Sequence, residues 1–344
     1  MKIAVDAMGG DRAPAQVVGG VCLAARDLDV EIILVGDEPE IRRHLRETMA
    51  DVPSSISIRH ASQQVEMHDP PSSVVRRKRD SSIWIATELV RNKEAAAVIS
   101  AGNTGATMVS AFFLLGVLKG IDRPAIAVTL PTLRGQAIML DVGATVDSLP
   151  HQLYQFEIMG NEYAKQVLGD AKPKIGLLSI GEEDEKGNET TREAFSLLKN
   201  SSLNFIGNVE GRDVYTGMAD VIVCDGFIGN VGLKISEGVV EIMTKMLIND
   251  ISHSRIGKLG YALLRPSLHR FKKRIDYAEF GGAPLLGVNG TCVICHGRSS
   301  AKAVYSAVRL ARQLIDQKIN ESIQDDVVHE AAFVSANDST RASG

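Results

Sequence analysis

The sequence predicts an α/β fold with a mostly parallel sheet covered by helices. Strand-like and helix-like segments alternate from Lys2 to about Ser322, which is typical of strands joined by helical crossovers. Several strand-like runs are short, nearly continuously apolar and rich in β-branched residues, as expected of strands buried on both faces. They include AAAVIS, KIGLLSI and ADVIVCD.

The chain begins with MKIAVDAMGGD, which reads as a first strand that turns into a glycine-rich loop. Asp6 interrupts the apolar run before the core of a signal peptide could form, so we expect a cytoplasmic protein. The helix-like segments that follow the three runs above open on Thr or Asn, residues that cap helix N-termini. They are TMVSAFFLLGVL, TTREAFSLLKN and NVGLKISEGVVEIMTKML.

A Gly-Asn loop joins each of these strands to its helix. The loops are SAGNTGA at 100–106, GEEDEKGNE at 181–189 and DGFIGN at 225–230. Such a turn directs backbone N–H groups and the positive end of a helix dipole at one point, which suits an anion. Ligands of parallel sheets bind at the carboxyl ends of strands, so three loops there predict one phosphate or carboxylate site. Alternatively, Gly and Asn serve only the turns, because both tolerate positive φ.

Lys186 is the best candidate in the second loop. Its ammonium could bind phosphate or stabilise an oxyanion, or it could neutralise the four acids that precede it. Asn103, Asn188 and Asn230 are helix caps in one interpretation and hydrogen-bond donors to a developing oxyanion in the other.

No motif supplies a nucleophile together with its base. G-x-S-x-G, the dinucleotide fingerprint and the phosphate loop G-x-x-x-x-G-K-[ST] are absent from the sequence. No His stands near a glycine-rich loop in a way that indicates a triad. Cys292, Cys295 and His296 form a CxxCH string, but without a second ligand pair we predict a buried strand and no metal. The nucleophile of an enzyme built this way would come from its substrate.

The segment 251–275 contains seven Lys or Arg residues and no Asp or Glu. Its apolar residues recur at helical spacing on either side of Pro266, which predicts a protruding pair of short amphipathic helices. The pair could contact an anionic membrane, an acidic partner or a second subunit. The candidate contact residues are Ile256, Lys258, Leu259, Leu263, Leu264, Arg265, Phe271, Lys272 and Lys273. A second positive run, 76–79, could attract phosphate or a negatively charged carrier protein if it faces the Gly-Asn loops.

The composition of the chain further limits its possible partners and its domain organisation. A net charge of −4 and 23% charged residues give no basic bias toward nucleic acid. The longest apolar run is far short of the roughly 20 residues that cross a bilayer. We predict a single α/β unit over 1–322 and, because the composition then turns polar and small, a frayed tail over 323–344.

Ten segments resemble the bacterial phosphate acyltransferases of phospholipid synthesis, in order, from Lys2 to about Leu314. They are AVDAMGGDRAP, VRRKRDSSI, SAGNTGA, IDRPAIAVTLPT, DVGATVD, QFEIMGNEYA, IGLLSIGEEDEKGNE, NFIGNVEGRD, DVIVCDGFIGN and FGGAPLLGVNG. The sequence departs from the family pattern at Thr145, where Asn is common, and at Ser148, where Cys is common. The second departure excludes a cysteine nucleophile at that position.

The resemblance implies transfer of a fatty acyl group from acyl carrier protein to inorganic phosphate, which gives acyl phosphate for the acylation of glycerol 3-phosphate. It also implies a homodimer with a three-layer α/β fold similar to isocitrate and isopropylmalate dehydrogenases and phosphotransacetylases. Reversible association with the inner face of the membrane, near the glycerol-3-phosphate acyltransferase, is implied as well. No cofactor is expected.

The resemblance assigns catalysis to Lys186 and Asn230. We expect phosphate or substrate to be bound by the loop residues Asn103, Thr104, Gly105, Asn188, Asp225 and Gly229. Two other enzymes remain alternatives: a phosphotransacetylase-like enzyme that uses acyl-coenzyme A, and a nicotinamide-dependent decarboxylating dehydrogenase, for which no metal-binding carboxylate pair is evident. A regulatory protein without catalytic activity is a third alternative.

Overall fold

A computed structural model describes residues 1–253, 259–261, 263–268, 271 and 281–342, apart from the side chains of 252 and 335–342. Within this part, the strands form two sheets rather than one. The predicted α/β fold with mostly parallel strands and helical cover is confirmed.

The first sheet has seven strands in the order β3-β2-β1-β4-β12-β11-β5. The first five in that order are parallel, whereas β11 is antiparallel to both of its neighbours. All four residues of β4, from the predicted run AAAVIS, are buried. The strands are β1 (Lys2–Asp6), β2 (Glu31–Gly36), β3 (Ile56–His60), β4 (Ala97–Ser100), β5 (Ala125–Ile126), β11 (Ala283–Leu286) and β12 (Thr291–Ile294).

The second sheet has five strands in the order β6-β7-β10-β8-β9. Only β6 is antiparallel, and the predicted runs KIGLLSI and ADVIVCD form the neighbouring parallel strands β8 and β10. The strands are β6 (Val128–Thr132), β7 (Gly135–Leu140), β8 (Ile175–Leu178), β9 (Phe205–Val209) and β10 (Val221–Val223).

Helices cover both sheets, and five of them begin at a polar side-chain cap. Side chains of Asp37, Asn103, Asn188, Asp225 and Ser300 each accept a backbone N–H at a helix start. The helices are α1 (Ala15–Asp27), α2 (Glu38–Thr48), α3 (Ser73–Arg76), α4 (Ser82–Arg91), α5 (Thr104–Leu115), α6 (Pro150–Leu168), α7 (Glu189–Lys199), α8 (Gly226–Ser252), α9 (Ala301–Asp316) and α10 (Ile319–Ala342).

Both sheets contribute to each of two buried hydrophobic clusters. Ile3 and Leu34 of the first sheet belong to the same buried cluster as Ile138 and Leu140 of the second, together with Phe156 of α6. Because this cluster is continuous, its packing fixes the two sheets, and the loops at their ends, relative to each other.

The end of the chain differs from the predicted frayed tail. Helix α10 runs to Ala342, Ile323 is fully buried and Val327 packs on the core. The polar residues of the helix have partners: the Glu330 carboxylate accepts hydrogen bonds from the Tyr154 hydroxyl (2.9 Å) and from Ser202. The composition suggested a tail because this surface is polar, but its polar groups pair with α6 and the loop before β9.

The basic segment is described in part. Residues 263–268 are helical, so Pro266 lies inside a helical stretch and not between two helices as predicted. Leu259, Leu263, Leu264 and Phe271 are exposed, as is Arg265. The remaining candidates, Ile256, Lys258, Lys272 and Lys273, lie outside the described residues. No helix in the described ranges is both long and apolar enough to cross a membrane.

The contact between α6 and α10 buries a carboxyl group without a close donor. Glu157 is fully buried, and neither of its oxygens has a hydrogen-bond partner among the described residues, although Ser201 lies nearby. Burial and the neighbouring Glu330 charge raise the pKa of Glu157 well above its usual range, an effect that Ser201 only partly opposes. As pH rises, Glu157 therefore stays neutral in the folded protein at pH values at which it is already ionised in the unfolded chain.

We expect Glu157→Gln to remove a pH-dependent loss of stability. Because the folded pKa is raised, the contribution of Glu157 is fully present below the unfolded pKa of about 4.5 and falls as pH rises toward the folded pKa, by about 1.4 kcal/mol per unit. In urea titrations between pH 4 and 8, the variant should match the wild type at pH 4 and exceed it increasingly toward pH 8. The exposed Glu193→Gln is the control. Parallel profiles of the wild type and Glu157→Gln would contradict this account.

Candidate active site

The three Gly-Asn loops lie at the carboxyl ends of parallel strands, but they are divided between the two sheets. The loops after β8 (179–188) and β10 (224–225) are neighbours at the carboxyl end of the second sheet, where the loop after β7 (141–148) joins them. Most of the predicted loop DGFIGN is helical, because α8 begins at Gly226. The loop after β4 (101–103) lies at the carboxyl end of the first sheet, and α5 begins at Thr104. We call these the β8, β10, β7 and β4 loops.

The start of α8 is locked onto the β7 loop. Asp225 caps the helix by accepting the Phe227 N–H (2.9 Å) and also accepts the Ser148 N–H (2.7 Å). The Gly226 N–H donates to the Thr145 carbonyl (3.1 Å). A Cβ at Gly229 would lie 1.9 Å from the Asp141 carbonyl oxygen, so only glycine fits. Asp225 and Gly229, which the sequence assigns to substrate binding, thus fix the position of the helix.

Asp141 organises the β7 loop and was missed by the sequence reasoning. Its fully buried carboxylate accepts four backbone N–H groups, from Ile126 (2.8 Å), Gly143 (3.1 Å), Ala144 (3.0 Å) and Thr145 (2.5 Å). Burial raises the pKa of Asp141 to about 6, although the four donors act in the opposite direction. Its position at the end of a strand, in LDVG, is the one signal that could have identified it.

Asn230 projects from the first turns of α8 beside the β7 loop. A Cβ at Gly143 would lie 3.5 Å from the amide carbon and nitrogen of Asn230. The side chain is exposed and has no hydrogen-bond partner among the residues that the structure describes. Its amide can therefore donate to a ligand bound at this edge.

Lys186 lies in the neighbouring β8 loop and is exposed. Two of the acids that precede it are paired with other residues: Glu182 with Arg212 (3.1 Å) and Asp184 with Lys199 (2.7 Å). The Lys186 ammonium forms no ion pair within the described part of the chain. This favours the ligand-binding interpretation of Lys186 over neutralisation of its neighbours. Asn188, two residues on, caps α7 by accepting the Thr191 N–H (2.9 Å).

Asn103 caps a helix, as one interpretation of the sequence predicted, and it also binds the segment 66–69, which the sequence did not indicate. Its amide oxygen caps α5 through the Ala106 N–H (3.0 Å), and its amide nitrogen donates to the carbonyls of Glu66, Met67 and Asp69. The side chain is thus engaged at both ends and is not available to orient phosphate. The segment 66–71 also covers Gly105, where a Cβ would be 2.5 Å from Pro71. Thr104, the first residue of α5, is exposed.

A histidine lies in the loop after β12 of the first sheet. Burial lowers the pKa of His296, and the positive charge of Lys234 on α8 lowers it further. The loop of His296 is joined to the other loops of its sheet, since Gly297 accepts the Asp11 N–H (2.8 Å) and the Cys295 N–H donates to Ser100 (2.8 Å). A histidine therefore does lie beside glycine-rich loops, brought there by strand order.

The CxxCH string is a buried strand, as predicted. Cys292 lies in β12 and Cys295 directly follows it, and burial raises the pKa of both thiols to about 12. Across the described ranges, no group of three or more His, Cys, Asp and Glu side chains is arranged to hold a metal ion.

We expect Gly229→Ala to destabilise the protein by about 2–3 kcal/mol, because the added methyl group forces α8 away from the Asp141 carbonyl. The matched control is Gly232→Ala, one turn further along α8, where a Cβ meets nothing within 4 Å. This second change should stabilise the helix by roughly 0.5–1 kcal/mol. Urea unfolding of both variants measures the difference, and equal effects would refute the proposed packing constraint.

Comparisons with known proteins agree on fold and family. The model of a family described as "Fatty acid synthesis protein" matches residues 1–322. The phosphate acyltransferase of Geobacter sulfurreducens is 52% identical over 330 residues, covering 96% of this chain and 95% of that protein. The phosphate acyltransferase of Geotalea uraniireducens is 51% identical over 325 residues, covering 94% of each.

Two solved structures share the fold. A phosphotransacetylase from Streptococcus pyogenes has a TM-score of 0.63 at 17% identity, covering 92% of this chain and 94% of that one. A branched-chain phosphotransacylase from Enterococcus faecalis V583 has a TM-score of 0.55 at 15% identity, covering 91% and 99%. The chain therefore belongs to the fatty acid synthesis protein family, and within it to the phosphate acyltransferases, a class of transferases.

Proposed function

We propose that the chain transfers a fatty acyl group from acyl-acyl carrier protein to inorganic phosphate and releases acyl phosphate for phospholipid synthesis. Family membership supports acyl transfer to phosphate. The observation that carries the site assignment is that Lys186 and Asn230, both exposed and unpaired in the described structure, follow neighbouring parallel strands. An ammonium and an amide at one sheet edge can together bind an oxyanion.

In this reaction, phosphate itself is the nucleophile. A phosphate oxygen attacks the thioester carbonyl carbon, and the resulting tetrahedral oxyanion collapses by breaking the C–S bond; the thiolate then takes a proton from solvent. Lys186 and Asn230 stabilise the oxyanion, and backbone N–H groups of the β8 and β10 loops help to position the reactants. Thr104 and Asn188 remain candidates for contacts with substrate.

The side chains near the site favour direct attack over an acyl-enzyme. Ser148 is buried, and its hydroxyl donates to the Thr145 carbonyl (3.2 Å). Cys224 donates to the Asp141 carbonyl (3.3 Å), and burial raises the pKa of its thiol well above the usual range. A neutral buried thiol is a poor nucleophile.

Acyl carrier protein is the proposed donor, and acyl-coenzyme A is the alternative. The segment that covers Asn103 continues into the positive run 76–79, in which Arg76 and Arg77 are exposed. Positive charge near the β4 loop suits the negative surface of a carrier protein and steers its approach.

We expect the protein to release free thiol from palmitoyl-acyl carrier protein only when inorganic phosphate is present. Lys186→Ala should lower the rate by about 100-fold or more, since it removes a charge from the oxyanion. Lys172→Ala is the matched control and should retain the wild-type rate. Lys172 is an exposed lysine that precedes β8, whereas Lys186 follows this strand. Phosphate-independent release, or no release, would reject the function. Higher kcat/KM with palmitoyl-coenzyme A would favour the alternative donor.

We also propose a homodimer that associates reversibly with the inner face of the membrane, near the glycerol-3-phosphate acyltransferase that consumes its product. Support comes from apolar side chains that remain exposed in the segment after α8: Leu259 is 65% exposed, Leu263 76% and Phe271 59%. Together with the basic residues of the same segment, they match an element that lies in an anionic interface.

Leu259→Glu/Leu263→Glu should abolish co-flotation with liposomes that contain anionic lipid, because two carboxylates cannot enter the apolar part of the interface. Leu133→Glu/Val328→Glu adds the same charge at exposed apolar positions elsewhere and should float like the wild type. Unchanged flotation of the first variant would exclude lipid contact by this segment.

A further inference from the structure

Large apolar side chains remain exposed at the carboxyl end of the second sheet. Ile180 of the β8 loop is 81% exposed, Phe227 at the start of α8 is 60% exposed, and Val146 of the β7 loop is 56% exposed. Single exposed apolar side chains are common on protein surfaces. These three, however, come from three separate segments that meet at one end of the sheet. We call them the apolar patch.

The register of the strands brings the three segments together. Val223 of β10 pairs with Leu140 of β7 on one side and with Leu177 of β8 on the other. Each strand ends at its paired residue or one residue later. The segments that follow therefore begin at the same level, with the start of α8 between the β7 and β8 loops. Because neighbouring strands lie roughly 5 Å apart, side chains of all three segments can contact one ligand.

Hydrogen bonds hold the β7 part of the patch beside the start of α8. The Thr145 carbonyl accepts the Gly226 N–H (3.1 Å), and Val146 and Phe227 are the next residues in the two segments. A second hydrogen bond joins the β7 loop to the cap of α8. The positions of Val146 and Phe227 relative to each other are thus determined by the backbone.

Asn230 borders this patch on α8. It follows Phe227 by three residues, so the two side chains lie on the same side of the helix. Its amide group is also close to the β7 loop, since a Cβ at Gly143 would lie 3.5 Å from the amide carbon and nitrogen. The proposed oxyanion donor therefore stands next to exposed apolar side chains.

Lys186 borders the patch on the β8 loop. A Cβ at Gly181 would lie 2.9 Å from Lys186 Cγ and 3.3 Å from its Cδ, so the lysine side chain passes over the backbone of the residue that follows Ile180. The aliphatic part of Lys186 thus extends the apolar patch up to its ammonium. Both groups that we assign to the thioester carbonyl oxygen are in this way bordered by apolar surface.

We propose that the fatty acyl chain of the donor lies on the apolar patch, and that contact with Val146, Ile180 and Phe227 determines a preference for long chains. This inference rests on the proposed function, in which Lys186 and Asn230 hold the carbonyl oxygen and thereby fix the start of the chain. A hydrocarbon chain can cover the patch and leave the carbonyl open to phosphate. A protein surface that covered the patch would also cover Lys186 and Asn230, which two substrates must reach.

The proposal predicts a change in chain-length selectivity. Ile180→Ser/Phe227→Ser should lower the ratio of kcat/KM for palmitoyl-acyl carrier protein to kcat/KM for butyryl-acyl carrier protein by about 10-fold or more, because each methylene group withdrawn from water contributes about fourfold to binding. Both side chains are exposed, so the variant should unfold at the wild-type temperature.

Leu133→Ser is the matched control. Leu133 is also a highly exposed apolar residue, but it precedes β7 and so lies at the amino end of that strand. This variant should keep the wild-type ratio. An equal loss with both donors in the double variant would overturn the inference, since it would indicate a contact with the carrier protein. A change in its elution volume in size-exclusion chromatography would also overturn it, in favour of a subunit interface.

Binding measured without any acyl donor separates this inference from the proposed function. In calorimetric titrations below the micelle concentration, the wild type and Leu133→Ser should bind dodecylphosphonate about 10-fold or more tightly than methylphosphonate, and the double variant should lose most of this difference. That pattern in a protein that releases no thiol from palmitoyl-acyl carrier protein would reject the proposed function and support the patch. Equal affinity of the wild type and the double variant for dodecylphosphonate would overturn the inference and leave the proposed function intact.

Discussion

The close contact between the start of α8 and the end of β7 determines the geometry of the candidate site. The backbone of Gly229 lies so near the Asp141 carbonyl that a side chain is excluded, and the Asp141 carboxylate holds the surrounding loop through four N–H groups. Helix and loop are thus joined by backbone atoms, whose positions vary less than those of side chains. This contact also determines the position of Asn230, which follows the cap residue Asp225 by about one and a half turns.

The charge that the β8 loop presents to a ligand depends on which of its acids are ion-paired, as well as on how many acids it contains. The β8 loop carries four acids, yet Glu182 and Asp184 are paired with Arg212 and Lys199, outside the loop. Such exposed pairs contribute little stability. Their consequence here is that these carboxylates do not pair with the Lys186 ammonium. An acidic loop can in this way present a positive group to an anion.

The sequence predicted those features of the fold that depend on residues close together in the chain. Buried parallel strands, capped helices and the glycine turns between them depend on neighbouring residues, so β4, β8, β10 and their helices could be placed. Strand order depends on pairing between distant segments: β12, the last strand, inserts between β4 and β11, and this joins the loop that carries His296 to the end of β4. The hydrogen bonds of the Asn103 amide nitrogen to segment 66–69 and the buried surface of α10 likewise depend on partners far away in the sequence.

Helix α8 also connects the site with an exposed apolar surface. At 27 residues it is about 40 Å long, and beyond Lys234 it presents exposed apolar side chains such as Ile235, Met243 and Leu247. Most helical stability in proteins comes from a packed apolar face, so whatever covers this face stabilises the helix. One continuous helix carries both this exposed face and Asn230. Any contact that covered the face would therefore stabilise the same helix whose start positions Asn230.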